Sequence, residues 1–307
     1  MMFPFLPAML MPRITDLLAT GVCREPRFAV AFVDATETAR ILCRNHLCGP
    51  AASHALGEAL AAAALLGAEL EPGATALLRM SVNGPLQGLC AEATLDDAGL
   101  ALRGYPNRKV IDALDDECGD PRPGEIFGSA ASAQVVFTGP ANNVRHASFE
   151  ARGEFDIDTV LMQYYAGSVQ RPAVVHTAAS LYGGYINFAR AFAAFPIPGE
   201  AEPEDFESLQ KQFLDGSLSE NLDACLGLAD LCDALKLPAP ENVSTRPIHF
   251  HCGCSMERVV NMLARFSTNE LESILNDNVA PSVFCHMCGR NHTVPLEKVR
   301  ELIEMPF

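Results

Sequence analysis

Residues 75–106 read "TALLRMSVNGPLQGLCAEATLDDAGLALRGYP", and this stretch decides the fold class. It contains three apolar runs, 75–82, 86–95 and 100–106, separated by Asn83-Gly84-Pro85 and Asp96-Asp97-Ala98-Gly99. Gly, Pro, Asn and Asp favour tight turns, through a free or fixed φ or by side-chain bonds to their own backbone. Strands so closely spaced read as an antiparallel meander. Two further runs, "AQVVFTG" at 133–139 and "PAVVHTAASLY" at 172–182, extend the strand signal downstream.

Upstream the pattern is helical. In "DATETARILCRNHL" (34–47), Asp34 with Glu37 three residues on gives a capping-box pattern. Pro50 suits the first turn of an alanine-rich helix running to about Leu70, where Glu71-Pro72-Gly73 stops it. Helices packed on a meander predict an α+β fold: an N-terminal antiparallel sheet covered by helices.

After Phe195-Pro196-Ile197-Pro198 the texture changes. "PEDFESLQKQFLDG" (203–216) places Phe206, Leu209 and Phe213 on one helical face. "SENLDACLGLADLCDALKL" (219–237) aligns Leu222, Cys225, Leu228, Cys232 and Leu235 as one apolar stripe, so both cysteines read as small core residues. "LPAPENVSTRP" (237–247) reads as a linker. Beyond it lie the helix "SMERVVNMLARF" and then "STNELESILND", with Ser267 and Glu270 as a second capping box. The expected division is a loose extension 1–10, an α/β core 11–185, a helical linker 186–248 and a small terminal unit 249–307.

Composition sets the function classes. With 49% hydrophobic and 20% charged residues, the 307-residue chain can bury a sizeable core. A net charge of −16 opposes binding to a phosphate backbone. The opening "MMFPFLPAMLMPRITDLL" is apolar only to Met11, carries two prolines and lacks the charge pattern of a secretory leader. It reads as an extension with Met11 a natural start, and a weak membrane-surface anchor is the alternative. The expected setting is therefore a reducing, cytoplasmic one, where eleven cysteines are thiols or metal ligands.

Seven cysteines are scattered (Cys23, Cys43, Cys48, Cys90, Cys118, Cys225, Cys232), and four are paired. Cys252-x-Cys254 and Cys285-x-x-Cys288 flank thirty residues, 255–284. Four thiolates suit Zn²⁺, which takes tetrahedral sulfur at ~2.3 Å. Gly253 allows a tight backbone between the first two, and Gly289 permits the turn of a zinc knuckle after the second two. His249, His251, His286 and His292 stand nearby, but four sulfurs already complete the shell, so they read as exposed or outer-shell. A unit of this size has a small core, and structural zinc contributes on the order of 10–16 kcal/mol, so metal and fold should be one event. Two ligands of a tetrahedral ion lie ~3.8 Å apart, whereas a disulfide needs ~2.05 Å. Joining either vicinal pair must release the metal. On this reading the site is a switch or a permanent staple, and the spacing favours neither.

The C-x-C and C-x-x-C arrangement resembles that of the redox-regulated heat shock protein 33 chaperone family. So do "ASHALGEALAAAALLGAEL" (52–70), "NGPLQGLCAEATLDDAGLALRGYPN" (83–107), "LMQYYAGSVQRPAVV" (161–175) and Gly183-Gly184, collinear from about Arg13 to Leu302. Val169 replaces the acid of the family's S-E-Q, Met287 stands where an aromatic is common, and "FARAFAAFPIPG" departs from a leucine-rich run. The resemblance implies an α/β core, a helical linker and a C-terminal zinc domain. It implies one Zn²⁺ per chain in the reduced state, held by Cys252, Cys254, Cys285 and Cys288. Oxidation then forms Cys285–Cys288 and Cys252–Cys254 disulfides, zinc leaves, and the linker and tail unfold. The protein dimerises and holds unfolding client proteins without ATP, as a chaperone and not an enzyme. Phe206, Leu209 and Phe213 are candidate client contacts, or simply core.

Three rivals fit the residues less well. A thioredoxin-like oxidoreductase would use a C-x-x-C but has no need of the C-x-C, and "LCGPA" (47–51) has Ala51 where a second cysteine belongs. In a nucleic-acid module, 249–307 should be basic, yet Arg258, Arg265, Arg290, Lys298 and Arg300 face seven acids. A metalloenzyme needs an open coordination position, which four thiolates do not leave.

Overall fold

A computed structural model describes residues 16–304 apart from 26, 116–121, 142 and 154; the N-terminal extension, Met11 and Cys118 lie outside the described residues. The chain begins with strands β1 (Leu17–Cys23) and β2 (Phe28–Asp34), then helices α1 (Thr36–His46) and α2 (Pro50–Leu66). The meander follows as β3 (Thr75–Val82), β4 (Gly88–Asp96) and β5 (Gly99–Pro106), close to the boundaries its turn residues predict. Short helices α3 (Asp112–Asp115) and α4 (Pro123–Phe127) precede the hairpin β6 (Ala130–Thr138) and β7 (Val144–Arg152). Helix α5 (Ile157–Tyr164) leads to β8 (Val174–Tyr182) and β9 (Tyr185–Pro196), joined by Gly183-Gly184 with both φ positive, the geometry a two-residue hairpin turn demands.

Three middle helices come next: α6 (Pro203–Leu214), α7 (Ser217–Ala224) and α8 (Leu228–Ala234). Strand β10 (Glu241–Phe250) then enters the C-terminal unit, which holds α9 (Met256–Leu263), α10 (Thr268–Asp277), β11 (Ser282–Phe284), β12 (Asn291–Thr293) and α11 (Leu296–Glu304). The Ser267–Glu270 capping box forms on α10 as expected.

One ten-stranded sheet runs β7-β6-β3-β4-β5-β10-β1-β2-β9-β8. β10 is its hinge piece, pairing antiparallel with β1 over 241–247 and parallel with β5 over 248–250. The segment read as a linker from its polar composition is thus mostly strand. Its first five side chains are exposed, so backbone pairing holds them with one ion pair, Glu241 to Arg24, beside it. Pro247, which has no N–H to give, sits where the strand changes partner. β9 likewise continues the sheet to Pro196, so the helical segment opens at Pro203 and not at 186.

Helix α2 is apolar all round and packs against strands of both halves of the sheet, with 15 of its 17 residues buried. The stretch Pro50–Glu69 is long and apolar enough to cross a membrane, but 89% of its most apolar part is buried inside the protein, the mark of a core helix. Gly57 permits this approach: a β-carbon there would stand 3.0 Å from the Ala179 methyl and 3.2 Å from Ile186.

Asp34 does not build the expected box with Glu37. It caps Thr36 and pairs with Arg190, and the carboxylate of Asp16 receives the Glu37 and Thr38 amides at 2.8 and 2.6 Å. Nor is 219–237 a single helix. α7 ends where Arg190 Nη1 donates to the carbonyls of Leu222, Asp223 and Cys225, and Gly227 restarts the chain in extended geometry before α8. The middle helices cover the other face of β1, β2 and β9, burying Leu209, Leu218, Leu222, Leu231 and Cys232 against Phe28, Phe32 and Phe192.

Candidate metal centre

Cys252 and Cys254 follow the end of β10, just before Ser255, whose side chain accepts from Arg258 N and caps α9. Cys285 and Cys288 lie in the turn between β11 and β12. That turn is closed by Cys285 N donating to Arg290 O (2.8 Å) and Gly289 N donating to Cys285 O (2.8 Å). The two loops bring all four Sγ atoms within 4.8 Å of one another. Cys252 and Cys285 are 3.7 Å apart, Cys254 and Cys288 3.5 Å. A tetrahedral ion with ~2.3 Å bonds to sulfur needs an edge of ~3.8 Å. The donor set and its spacing fit zinc.

The cluster sits against the core. Gly104 of β5 donates its N–H to Met287 O at 3.1 Å, and its carbonyl accepts from His46 Nε2 of α1 at 2.9 Å. The rings of Tyr105 and His286 lie 3.8 Å apart, and Arg290 covers Phe250 of β10 at 4.6 Å. Gly289 takes a φ of +69°, and a β-carbon there would come within 2.5 Å of Asn45 O. Cys252 and Cys288 belong to the main core cluster, whereas the C-terminal unit has its own small core of Val259, Leu263, Leu271, Val294, Val299 and Leu302.

Electrostatics around the sulfurs are uneven. Burial raises the Cys252 thiol, but the Cys254 amide, the Arg103 guanidinium and the neighbouring thiols outweigh it and hold the thiol below its ordinary value. Burial pushes Cys254 and Cys288 up. Arg103, with Nη1 3.9 Å from Cys252 Sγ and Nε 2.6 Å from Glu92, is the one cation the sequence reading missed. Nothing in "RGYP" marks it, because strand pairing alone brings it to the site. The four histidines lie outside the sulfur group: His249 pairs with Asp96 at 3.1 Å, His286 packs tilted at 51° against the Tyr105 ring, His251 is exposed, and His292 Nε2 is 3.3 Å from Cys254 Sγ. Away from this centre, Leu209 of α6 is buried against the sheet, with Phe206 and Phe213 of the same helix partly buried around it.

Fold and site together define an α+β protein in which four thiols converge where a small C-terminal unit meets the core sheet. The model of the Hsp33 protein family matches residues 16–295. The chain belongs to the Hsp33 family. It is 30% identical over 290 residues to a 33 kDa chaperonin of Thermus thermophilus, covering 90% of this chain and 82% of the relative. The 33 kDa chaperonin of Aquifex aeolicus is 25% identical, with 94% and 90% covered. The crystal structure of the 33 kDa chaperonin from Thermotoga maritima shares the fold, with a TM-score of 0.81, 22% identity and coverage of 94% and 98%.

Proposed function

We propose that this chain is a redox-regulated, ATP-independent holdase of the cytoplasm that binds unfolding client proteins and is not an enzyme. Family membership supports the chaperone role. The observation that carries the regulation is the position of the thiol cluster, at the end of β10 and against β5 and α1. In the reduced protein Cys252, Cys254, Cys285 and Cys288 hold one Zn²⁺, which when bound supplies the cross-link that keeps the small C-terminal unit ordered. On oxidation each vicinal pair, Cys285–Cys288 and Cys252–Cys254, deprotonated as a metal ligand must be, would give up two electrons to the oxidant and form a disulfide at ~2.05 Å. Sulfurs bonded to one another no longer ligate.

The consequence travels along the chain. β10 is tied to β5 by only three residue pairs, at 248–250, and it connects directly to the middle helices. Freed at its C-terminal end, it loosens α8 and α6 and uncovers the face around Phe206, Leu209 and Phe213, a surface for apolar client segments. Oxidised chains associate as homodimers through surface exposed in the same step. The net charge of −16 argues against nucleic acid as the partner. The test measures zinc, free thiols and light scattering of a denatured client together. Peroxide with mild heat should release one zinc per chain and switch on suppression of aggregation. Full activity in the reduced, zinc-loaded protein would overturn the reading.

A further inference from the structure

A second pair of thiols lies far from the metal centre. Cys23 ends β1 and Cys232 lies in α8, and their Sγ atoms are 3.8 Å apart with both residues fully buried. The two positions are 209 residues apart in sequence, and the contact joins the sheet to the last middle helix. Around them Phe28, Phe32, Leu228, Leu231 and Leu235 form the apolar seam on which α8 sits. We propose that Cys23 and Cys232 are a second redox pair, whose disulfide fastens α8 to the sheet and opposes release of the middle helices.

The chemistry balances with a peroxide as oxidant. Cys23, whose thiol its 3.8 Å contact with Cys232 holds below its ordinary value, is the thiol that attacks. Its sulfur takes one peroxide oxygen to become a sulfenic acid as the O–O bond breaks and the other oxygen leaves as hydroxide. Cys232 then attacks that sulfur, and the S–O bond breaks with loss of water. Two thiols have lost two electrons, and one peroxide has become two waters. The sulfurs must close from 3.8 Å to ~2.05 Å, a side-chain movement across a contact already made. Because neither thiol is exposed, this pair reacts more slowly than the half-exposed Cys254 and Cys285. The cross-link forms where oxidation proceeds without the heat that releases α8, so that the helix is still docked. The thiols at the two sites therefore act in opposite directions. Oxidation at the metal centre loosens the tail, and oxidation at Cys23–Cys232 pins the helix the tail would release. The brake rests on the proposed function; the cross-link and the pinning do not.

The test uses the full-length, zinc-loaded protein held in peroxide without heat, then alkylated in denaturant and mapped by peptide mass. A peptide joining Cys23 to Cys232 is expected in the wild type and absent from Cys23→Ser and from Cys232→Ala. Limited proteolysis of 203–237 should be about fivefold slower in the oxidised wild type than in either oxidised variant. A reductant should abolish that difference in the wild type itself, with no mutation involved. Recovery of Cys23 and Cys232 as free alkylated thiols, or cleavage at the same rate with and without the cross-link, overturns the proposal. If the cross-link and the protection are present but neither the wild type nor a variant suppresses client aggregation, the holdase reading fails and the pinning stands.

Discussion

His46 lies at the end of α1, where the C-terminal knuckle meets the sheet, and its imidazole has one bond to make and one it lacks. Nε2–H donates to Gly104 O, while Nδ1 is buried without a hydrogen-bond partner among the described residues. Burial holds this imidazole below its ordinary value of 6.5, with Lys109 and His286 adding to the effect and the Gly104 and Met287 carbonyls opposing it. The unfolded chain therefore takes up a proton near pH 6.5 that the folded chain resists, so stability contributed here is complete above that pH and falls as pH drops through it. His46→Gln keeps an N–H for Gly104 and removes the titration. The fall in thermal midpoint between about pH 7.5 and 5.5 should be smaller in the variant than in the wild type. Identical falls would show that His46 does not titrate on unfolding. The neighbouring Gly289 is different in kind: its φ of +69° and the close Asn45 carbonyl were anticipated only as a knuckle turn, because the carbonyl that forbids a side chain lies 244 positions back in the sequence.

Among the elements, those whose signal is local matched their sequence reading, except at Asp34–Glu37, where Asp16 takes the Glu37 and Thr38 amides. Pro50 opens α2, Ser267 caps α10, and the turns at 83–85 and 96–99 delimit three strands. The misreadings fall where a partner distant in sequence decides. β9 and β10 are held by neighbours across the sheet, and α7 is cut short by Arg190, which reaches it from β9. Arg190 is nearly buried, is paired with Asp34 at 3.1 Å, and satisfies three carbonyls at the end of α7. Replacing it leaves Asp34 buried without its cation and the helix end without its donors. Breaking such a buried pair costs about 3–5 kcal/mol. Arg190→Met should lower the urea midpoint accordingly and speed proteolysis within 217–224 more than within 75–106. An unchanged midpoint would mean that the pair contributes no net stability and that α7 is held by its leucines alone.

At the scale of the whole molecule the described residues form three hydrophobic interiors, around α2, beneath the middle helices and within the C-terminal unit, and the candidate metal centre lies between the first and the last. The first is the largest; the last is six buried residues. The four thiols were readable because each pair is a local motif, but their seat on Gly104, Tyr105, His46 and Arg103 was not, since the sheet assembles it. This inequality sets what removal of the metal should do. Six buried side chains with six partly buried around them are a small core for a unit of about fifty residues, and units of that size need a metal or another staple to stay folded. The large core has no such dependence. A zinc chelator added to the reduced protein should therefore raise amide hydrogen exchange across 256–304 to near the unfolded rate. Residues 248–250 of β10 should follow, and β3 and β4 should stay protected. Protection that persisted in α9, α10 and α11 after chelation would mean that the small core stands unaided. The four sulfurs would then be an attachment to an already folded unit, and their oxidation would have nothing to release.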